Sequence, residues 1–199
     1  MTDTSNVTNT HNGHEFVNLG LPSGLLWATC NVGASSPEQA GLYFAWGETT
    51  GYTAEQVTGG ERAFDDATYK AGSAASISAN LTLEQDVAHV NLGGNWRMPT
   101  KDEYQELIDN CDGVWTDDYN GTGVKGCIFT SKVNGKSVFF PAAGACGNSS
   151  VDYVGTFSYY WSASRLSSFN AYYLRFDSWT QRVDDYGRCY GLSVRGVFK

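Results

Sequence analysis

One segment of the chain specifies its own local structure more strongly than any other: NWRMPTKDEYQELIDNC, residues 95–111. Thr100 and Glu103 have the spacing of a capping box, in which two side chains satisfy backbone N–H groups at the start of a helix. The apolar side chains that follow share one helical face: Tyr104, Leu107, Ile108 and Cys111. The pattern predicts a helix of about ten residues that packs this face against a core.

The rest of the chain favours β structure. Its 23 glycines and 28 aromatic residues are typical of strands and of the turns between them. Residues 15–34 predict two short strands around a turn, and residues 126–145 predict a hairpin with Asn134-Gly135 at its turn. The segments YYWSAS, AYYLRF and YGLSVRGVF predict the remaining strands.

Two further segments have weaker helix signals. Thr82 and Gln85 have capping-box spacing and predict a short helix within residues 82–90. Ser36, followed by Pro37, is a possible helix start in residues 35–48. Helices early in the chain and antiparallel strands after them predict the α+β class, with two short helices packed on an antiparallel sheet.

The chain is predicted to form a single domain. Its 199 residues contain no internal repeat and fit one domain of ordinary size. Residues 14–199 are assigned to that domain, and residues 1–13 are polar enough to be a flexible arm. Residues 49–80, rich in Gly, Ala, Ser and Thr, predict a long surface excursion.

Charge excludes one class of partner and divides the chain. The net charge of −8 argues against nucleic acid, since phosphate binding requires an excess of Lys and Arg. Residues 1–136 carry a net charge of −10, and residues 137–199 carry +2. The chain shows neither a signal-peptide h-region nor a membrane span, so neither secretion by a signal peptide nor membrane insertion is predicted.

Seven segments, in this order, resemble a known family. They read LGLPSGLLWATCNVGA, YFAWGE, GGNWRMPTKDEYQELI, FFPAAG, YYWSAS, AYYLRF and GLSVRGV. The chain resembles the C-type-lectin-fold domains common in gut Bacteroidales and their phages, a fold shared with formylglycine-generating enzymes. It is also similar to the variable proteins of diversity-generating retroelements. The resemblance implies that the α+β domain has a C-type-lectin-like fold.

The resemblance implies a test on composition. In those variable proteins, a reverse transcriptase rewrites adenines in the C-terminal coding segment, and AAY codons never become Lys, Glu, Gln, Met or Trp. Residues 1–136 contain 5 Lys, 8 Glu and 2 Met, a rate that would give about seven such residues in 137–198. That stretch contains none of the three types. Trp179 and Gln181 must be fixed or come from other codons, and a β-rich segment that simply disfavours Lys and Glu is the alternative.

The candidate site lies within a variable region of about residues 160–191. The loops predicted at 164–170 and 177–190 are rich in Tyr, Trp and Arg, which dominate binding hot spots. Tyr173 and Arg175 alternate with Leu174 and Phe176, so a strand would place them opposite the core. Such residues on a rigid sheet predict a paratope-like surface. The predicted ligand-binding residues are Arg165, Leu166, Phe169, Tyr173, Arg175, Asp177, Trp179, Arg182, Asp184, Tyr186, Arg188 and Tyr190.

The predicted function is recognition of a protein or glycan receptor on a target cell surface, without catalysis or a cofactor. The chain would act on a phage tail or on a bacterial cell surface, with its C-terminal surface diversified. A non-diversified adhesin or structural domain of the same fold is the alternative. The sequence does not constrain the oligomeric state.

A third hypothesis is a thiol oxidase of the formylglycine-generating type. It depends on Cys189, which Arg182 and Arg188 would favour as a thiolate. Those enzymes need a second thiol on the facing strand, and no cysteine lies between Cys146 and Cys189. No catalytic residue is therefore predicted. The odd number of cysteines, five, leaves their pairing open.

Two segments loosely suggest metal ligands. Asp117, Asp118 and Asn120 surround a glycine turn like that of a calcium loop, but the terminal acidic residue is missing. His11 and His14 form a weak pair in the predicted arm. A plain turn and a flexible arm are favoured, so no metal site is predicted.

Overall fold

A computed structural model describes residues 9–71 and 79–199. The strands in these residues are β1 Thr10–His11, β2 His14–Asn18, β3 Leu26–Asn31, β4 Cys111–Thr116, β5 Gly126–Ser131, β6 Ser137–Pro141, β7 Ala145–Gly147, β8 Ser150–Asp152, β9 Ser158–Arg165, β10 Asn170–Phe176, β11 Gln181–Gly187 and β12 Arg195–Phe198. The helices are α1 Ala54–Thr58, α2 Val87–Leu92 and α3 Lys101–Asn110. Single 3-10 turns occur at Leu83–Gln85 and Tyr119–Gly121.

The predicted α+β class, with two short helices packed on one antiparallel sheet, is wrong. The described residues are mostly β, with twelve strands in four small antiparallel sheets and three short helices. One reason is that residues 35–48 form turns and isolated bridges instead of a helix. Phe44 pairs with Leu192, and Tyr43 pairs with Tyr52, so long-range pairing overrides the local signal of Ser36 and Pro37.

The four sheets enclose two large apolar clusters. The strand orders are β1-β2-β3-β12, β11-β10-β9, β4-β5-β6 and β7-β8. The first cluster contains Trp46, Trp96 and Trp161. The second lies between α3 and the β4-β5-β6 sheet and contains Trp27, Phe129 and Phe140. Successive residues of β10, Tyr173 and Leu174, face the first and second cluster respectively, so the middle of this strand is packed on both faces.

The segment NWRMPT and its helix have the predicted structure. Thr100 Oγ1 accepts the Glu103 N–H at 3.3 Å, and Glu103 accepts the Thr100 N–H at 2.8 Å, which completes the capping box. Arg97 binds the Glu103 carboxylate through two nitrogens, at 2.7 and 2.6 Å. Trp96 and Met98 are buried. The motif therefore anchors the start of α3 in the core.

The helix predicted within residues 82–90 begins later than expected. Asp86 caps α2 by accepting the His89 N–H at 3.0 Å, and it also accepts the Met98 N–H. Thr82 precedes a single 3-10 turn, and its side chain makes no cap there. An aspartate inside the predicted helix is therefore its actual start.

The described residues of the excursion predicted at residues 49–80 pack against the core. It contains α1, and Phe64 is 1% exposed. Arg62 forms an ion pair of 2.9 Å with Glu48 of the YFAWGE motif, and both side chains are almost completely buried. Residues 72–78 of the excursion lie outside the described residues.

The N-terminal segment was assigned to an arm as far as residue 13. Residues 1–8 lie outside the described part of the chain. Thr10 and His11 form β1 against β2, and the His11 ring stacks on Phe198 at 4.2 Å between centroids. The end of the assigned arm thus packs on the domain.

A buried arginine joins β12 to β3 of its own sheet and to β6 of another sheet. Arg195 is 0% exposed and donates to the Asn31 side chain and to the carbonyls of Ala28, Thr29 and Phe139 at 2.7–3.0 Å. Its guanidinium lies 4.3 Å from the Phe140 ring centroid. Burial lowers the pKa of this group. The arginine of the GLSVRGV motif therefore has a structural role.

Candidate binding face

The segment that carries most of the candidate site is a hairpin and not a loop. Residues 181–187, predicted as part of a loop at 177–190, form β11, which pairs with β10 over seven consecutive residue pairs. β11 was missed because its residues, QRVDDYG, place polar side chains on both faces and show no clear alternation. The strand follows from its pairing with β10 and from the turn that joins them.

One face of this sheet carries a continuous group of aromatic rings, which we call the tyrosine face. Its residues are Tyr153, Phe157, Tyr159, Tyr173, Tyr186 and Tyr190. Neighbouring ring centroids lie 4.4–6.4 Å apart. Tyr186 and Tyr190 are the closest pair, stacked at 4.4 Å. Because the rings cover one another, they form a rigid surface.

The hydroxyl groups distinguish these tyrosines from those of the core. Tyr43, Tyr69, Tyr104 and Tyr160 each donate to a backbone carbonyl, at 2.6–3.4 Å. Among the described residues, no protein partner bonds the hydroxyls of the tyrosine face, and none of these oxygens is fully buried. Tyr52, Tyr119 and Tyr172 also lack such a bond, but they lie outside the face. The tyrosine face thus concentrates hydroxyls that have bonding capacity to spare.

The hydroxyls of Tyr159, Tyr173 and Tyr186 remain protonated at neutral pH. Burial raises the pKa of Tyr186 to about 12 and also raises the pKa of Tyr159 and Tyr173. A protonated phenol can donate one hydrogen bond and accept others. The face therefore offers a partner both donors and acceptors.

Charged side chains border the rings in compensated pairs. Arg175 and Arg182 stand opposite each other in the β10–β11 register. Arg182 lies 2.8 Å from Asp184, and Arg175 lies 3.6 Å from Asp177, each partner being two residues further along the chain. The Arg175 guanidinium also lies 4.8 Å from the Phe157 ring centroid. The pairs place fixed charges beside the tyrosine face.

Three of the predicted ligand-binding residues are buried and pack within the domain. Tyr173 is 4% exposed, and its ring is covered by the first core cluster, which corrects the prediction that it lies opposite the core. Asp177 is buried and accepts the Trp179 and Thr180 N–H groups at 2.7 and 2.9 Å, so it fixes the β10–β11 turn. Arg188 is buried, with its guanidinium 5.3 Å from the Trp46 ring.

The remaining predicted residues extend to both ends of the sheet. Leu166 and the 81% exposed Phe169 lie at the β9–β10 turn, whereas the 89% exposed Trp179 lies at the β10–β11 turn. The two ends are about 23 Å apart, the length of a seven-residue strand. Half-buried Arg165 lies at the end of β9 and donates to the Ser167 carbonyl at 3.0 Å. A partner that contacts both ends of the sheet must therefore span its whole length and not a single loop.

A shallow cavity of about 240 Å³ opens at the Phe169 end. Its lining includes Asp66, Tyr69, Phe169, Asn170, Arg188 and Tyr190. Tyr190 thus joins this cavity to the tyrosine face.

Sequence reasoning missed Tyr153, Phe157 and Tyr159. The three residues are separated by even numbers of positions, four and two, and this was the available signal, because alternate residues of a strand share one face. The turn at residues 153–156 interrupts that spacing, so the ring contacts at 5.7 and 6.3 Å follow from the tertiary structure.

The surroundings of Cys189 favour the thiol over the thiolate. Burial and a hydrogen bond to Asp66 raise its pKa to about 11. Cys146 pairs through its backbone with Gly191, and burial raises its pKa to about 12. Arg182, which was expected to assist Cys189, instead pairs with Asp184 on the tyrosine face.

The suggested metal ligands take part in protein contacts. Asp117 accepts the Trp115 indole N–H at 3.0 Å and pairs with Lys125 at 3.2 Å. Asp118 accepts the Gly123 N–H at 2.6 Å, which closes the turn. Within residues 9–71 and 79–199, no group of three or more acidic, histidine or cysteine side chains is placed to hold a metal ion.

Comparisons with known proteins assign no relatives. No protein-family model matches the chain, no curated protein matches it significantly, and no solved structure matches it significantly. Among the described helices, none has the length and apolar content that a membrane crossing requires.

Proposed function

We propose that the chain is a binding protein whose tyrosine face recognises a macromolecule on a target cell. The observation that carries this proposal is the division of the tyrosines by their hydroxyls. Core tyrosines use theirs internally, whereas those of the face have no protein partner among the described residues. Rigid aromatic side chains with unused hydroxyls provide contact area at low entropic cost.

Ring packing supports a protein surface as the partner ahead of a glycan. Stacking on a sugar requires an open ring face, but Tyr186 and Tyr190 cover each other at 4.4 Å with planes inclined by 29°. Tyr159 is also nearly parallel to Tyr186. The tyrosine face thus presents ring edges and hydroxyls, which suit the mixed polar and apolar surface of a protein.

Diversification of this surface is part of the proposal. Side chains at the sheet ends and on β11, such as Phe169, Trp179 and Arg182, are exposed. Exposed positions tolerate substitution with little effect on stability. A phage tail or a bacterial cell surface is the proposed setting, and a fixed adhesin with the same face is the second candidate.

The proposal is tested by removing hydroxyls while keeping the rings. In the test variant, Tyr159→Phe, Tyr186→Phe and Tyr190→Phe are combined, which preserves the aromatic packing. Loss of at least about 2 kcal/mol of hydrogen bonding should weaken binding about 30-fold. Flow cytometry measures binding of the labelled chain to a panel of intact bacterial strains, before and after trypsin treatment of the cells.

The matched control removes three hydroxyls elsewhere, with Tyr52→Phe, Tyr119→Phe and Tyr172→Phe. These tyrosines also lack an internal hydroxyl bond but do not belong to the tyrosine face, so binding should be unchanged. Equal loss of binding in both variants would contradict the proposal. Binding that survives trypsin but not glycosidase treatment would identify a glycan instead of a protein.

A further inference from the structure

The sheet that carries the tyrosine face has one covered edge and one open edge. On the outer side of β9, bridges join Ser158 to Gly144, Tyr160 to Ser193 and Ser164 to Asn80. β11 is the last strand on the other side. It contains no proline and no bulge relative to β10, two of the usual devices that protect an edge, but it does carry charged side chains, at Arg182, Asp184 and Asp185.

The register fixes which backbone groups of β11 point outward. Asp177 N–H donates to Thr180 O, and Arg188 N–H donates to Phe169 O, so the hydrogen-bonded pairs alternate between these two points. Residues 182, 184 and 186 therefore bond to β10, and Gln181, Val183 and Asp185 point outward. Within the described part of the chain, these outward backbone groups form one hydrogen bond. The Asp185 N–H donates to the Asp184 carboxylate at 3.0 Å.

We propose that β11 pairs with β11 of a second copy, antiparallel and with Val183 on the two-fold axis. This inference concerns self-association and goes beyond the proposed function. It joins two three-stranded sheets into one sheet of six strands, with both tyrosine faces on the same side.

Charge selects this register. With Val183 opposite itself, Arg182 of each copy stands opposite Asp184 of the other, as a close pair without backbone bonds. Moving the register by one step in either direction places Arg182 opposite Arg182 or Asp184 opposite Asp184, and like charges in these positions are destabilising. The ion pair within each copy, 2.8 Å long, is then exchanged for a pair between the copies, so the dimer has two ion pairs before and after association.

The exposed aromatic side chains fit the same arrangement. Within one copy, Trp179 and Phe169 lie at opposite ends of the sheet and are 89% and 81% exposed. In the proposed register, Trp179 lies beside Gly187 of the second copy, at the end that carries its Phe169. The Tyr190 ring of the second copy already packs on that glycine, 3.0 Å from where a Cβ would lie, so the pairing brings the indole next to Tyr190 and Phe169 of the second copy.

Self-association is tested without any ligand, by sedimentation velocity from about 5 µM to about 1 mM, the range expected for a small interface. The wild-type chain should pass from monomer to dimer, and 1 M NaCl should weaken the dimer by screening the ion pairs. Monomer at every concentration would overturn the inference. It would leave the proposed function untouched, because binding by the tyrosine face is measured separately.

Charge reversal tests the register. Arg182→Asp and Asp184→Arg should each weaken self-association at least about tenfold, because two attractive pairs become repulsive. An equimolar mixture of the two variants restores both attractive pairs and should form a heterodimer. Thermal unfolding confirms that each variant is folded. A dimer insensitive to both reversals, or a mixture that remains monomeric, would contradict the assignment.

Discussion

A phenol hydroxyl bonded inside the protein and one left at the surface have different effects when they are removed. Tyr43 donates to the Ala143 carbonyl at 2.6 Å in a fully buried site. Tyr186 has no internal hydroxyl partner among the described residues. Removing a buried donor leaves its acceptor without a partner, which costs more than the bond itself contributes. Whether a tyrosine hydroxyl has an internal hydrogen-bond partner therefore indicates whether that hydroxyl stabilises the fold.

We therefore expect Tyr43→Phe to lower the free energy of unfolding by about 1–3 kcal/mol. Tyr186→Phe, which keeps the stacked ring, should change it by less than about 0.5 kcal/mol. Urea denaturation monitored by circular dichroism measures both. A larger loss for Tyr186→Phe than for Tyr43→Phe would show that the hydroxyls of the face stabilise the fold.

The residue types of the candidate site could be predicted from the sequence, but their exposure could not. Arg182 and Asp184 lie on the sheet face, and Trp179 is exposed at its end. Tyr173 is covered because the first core cluster, which includes Phe44 and Leu192, packs on its face of β10. Since those residues come from distant parts of the chain, no local pattern indicates that cover.

At the scale of elements, the sequence predicts a helix that local contacts determine but not a strand that depends on long-range pairing. α3 was predicted correctly because its start is determined within four residues, by Thr100 and Glu103. β11 was missed because it depends on β10 and on the Asp177 turn. The predicted α+β class failed for the same reason, since Phe44, within residues 35–48, pairs with Leu192 far along the chain.

The start of α3 should make stability depend on pH. Burial alone would raise the pKa of Glu103, but hydrogen bonds from Arg97 and Thr100 outweigh it and lower that pKa below 4.5. A lowered pKa stabilises the fold above the unfolded value, and the stabilisation is lost as the pH falls through the folded value. Glu103→Gln should therefore be less stable than wild type at pH 7 by about 1–3 kcal/mol.

The difference between the two chains should shrink as the pH falls below 4.5, as the wild-type carboxylate takes up a proton. Urea denaturation at several pH values measures this convergence. Asp102→Asn, at the exposed neighbouring position, is the control. A difference that is independent of pH would show that the charge of Glu103 does not contribute.

On the scale of the whole molecule, the four small sheets do not form one continuous hydrogen-bonded ladder. Isolated β-bridges and buried side chains join them. Arg195 links β12, β3 and β6, and the backbones of Cys146 and Gly191 link β7 to the segment before β12. Cysteines are distributed through this arrangement as free thiols. Their accessibility therefore reports on the whole fold.

We expect iodoacetamide at pH 7.5 to label the native chain only at the half-buried Cys30 and Cys189, and slowly at Cys189. Burial raises the pKa of Cys111 to about 11 and those of Cys127 and Cys146 to about 12, and a protonated thiol is a poor nucleophile. Labelling in urea should modify all five cysteines. Mass spectrometry locates the labels, and rapid native labelling of Cys127 would contradict the fold described for this region.

β12 follows every residue of the tyrosine face in the sequence, yet it pairs with β3 near the other end of the chain. A messenger that loses its reading frame within the segment encoding the face therefore also loses β12 and Arg195. Asn31 and the carbonyls of Ala28 and Phe139 would then lack their donor, and the core could not close. A substitution that keeps the frame keeps β12, so each folded copy is one whose face-coding segment was translated in frame.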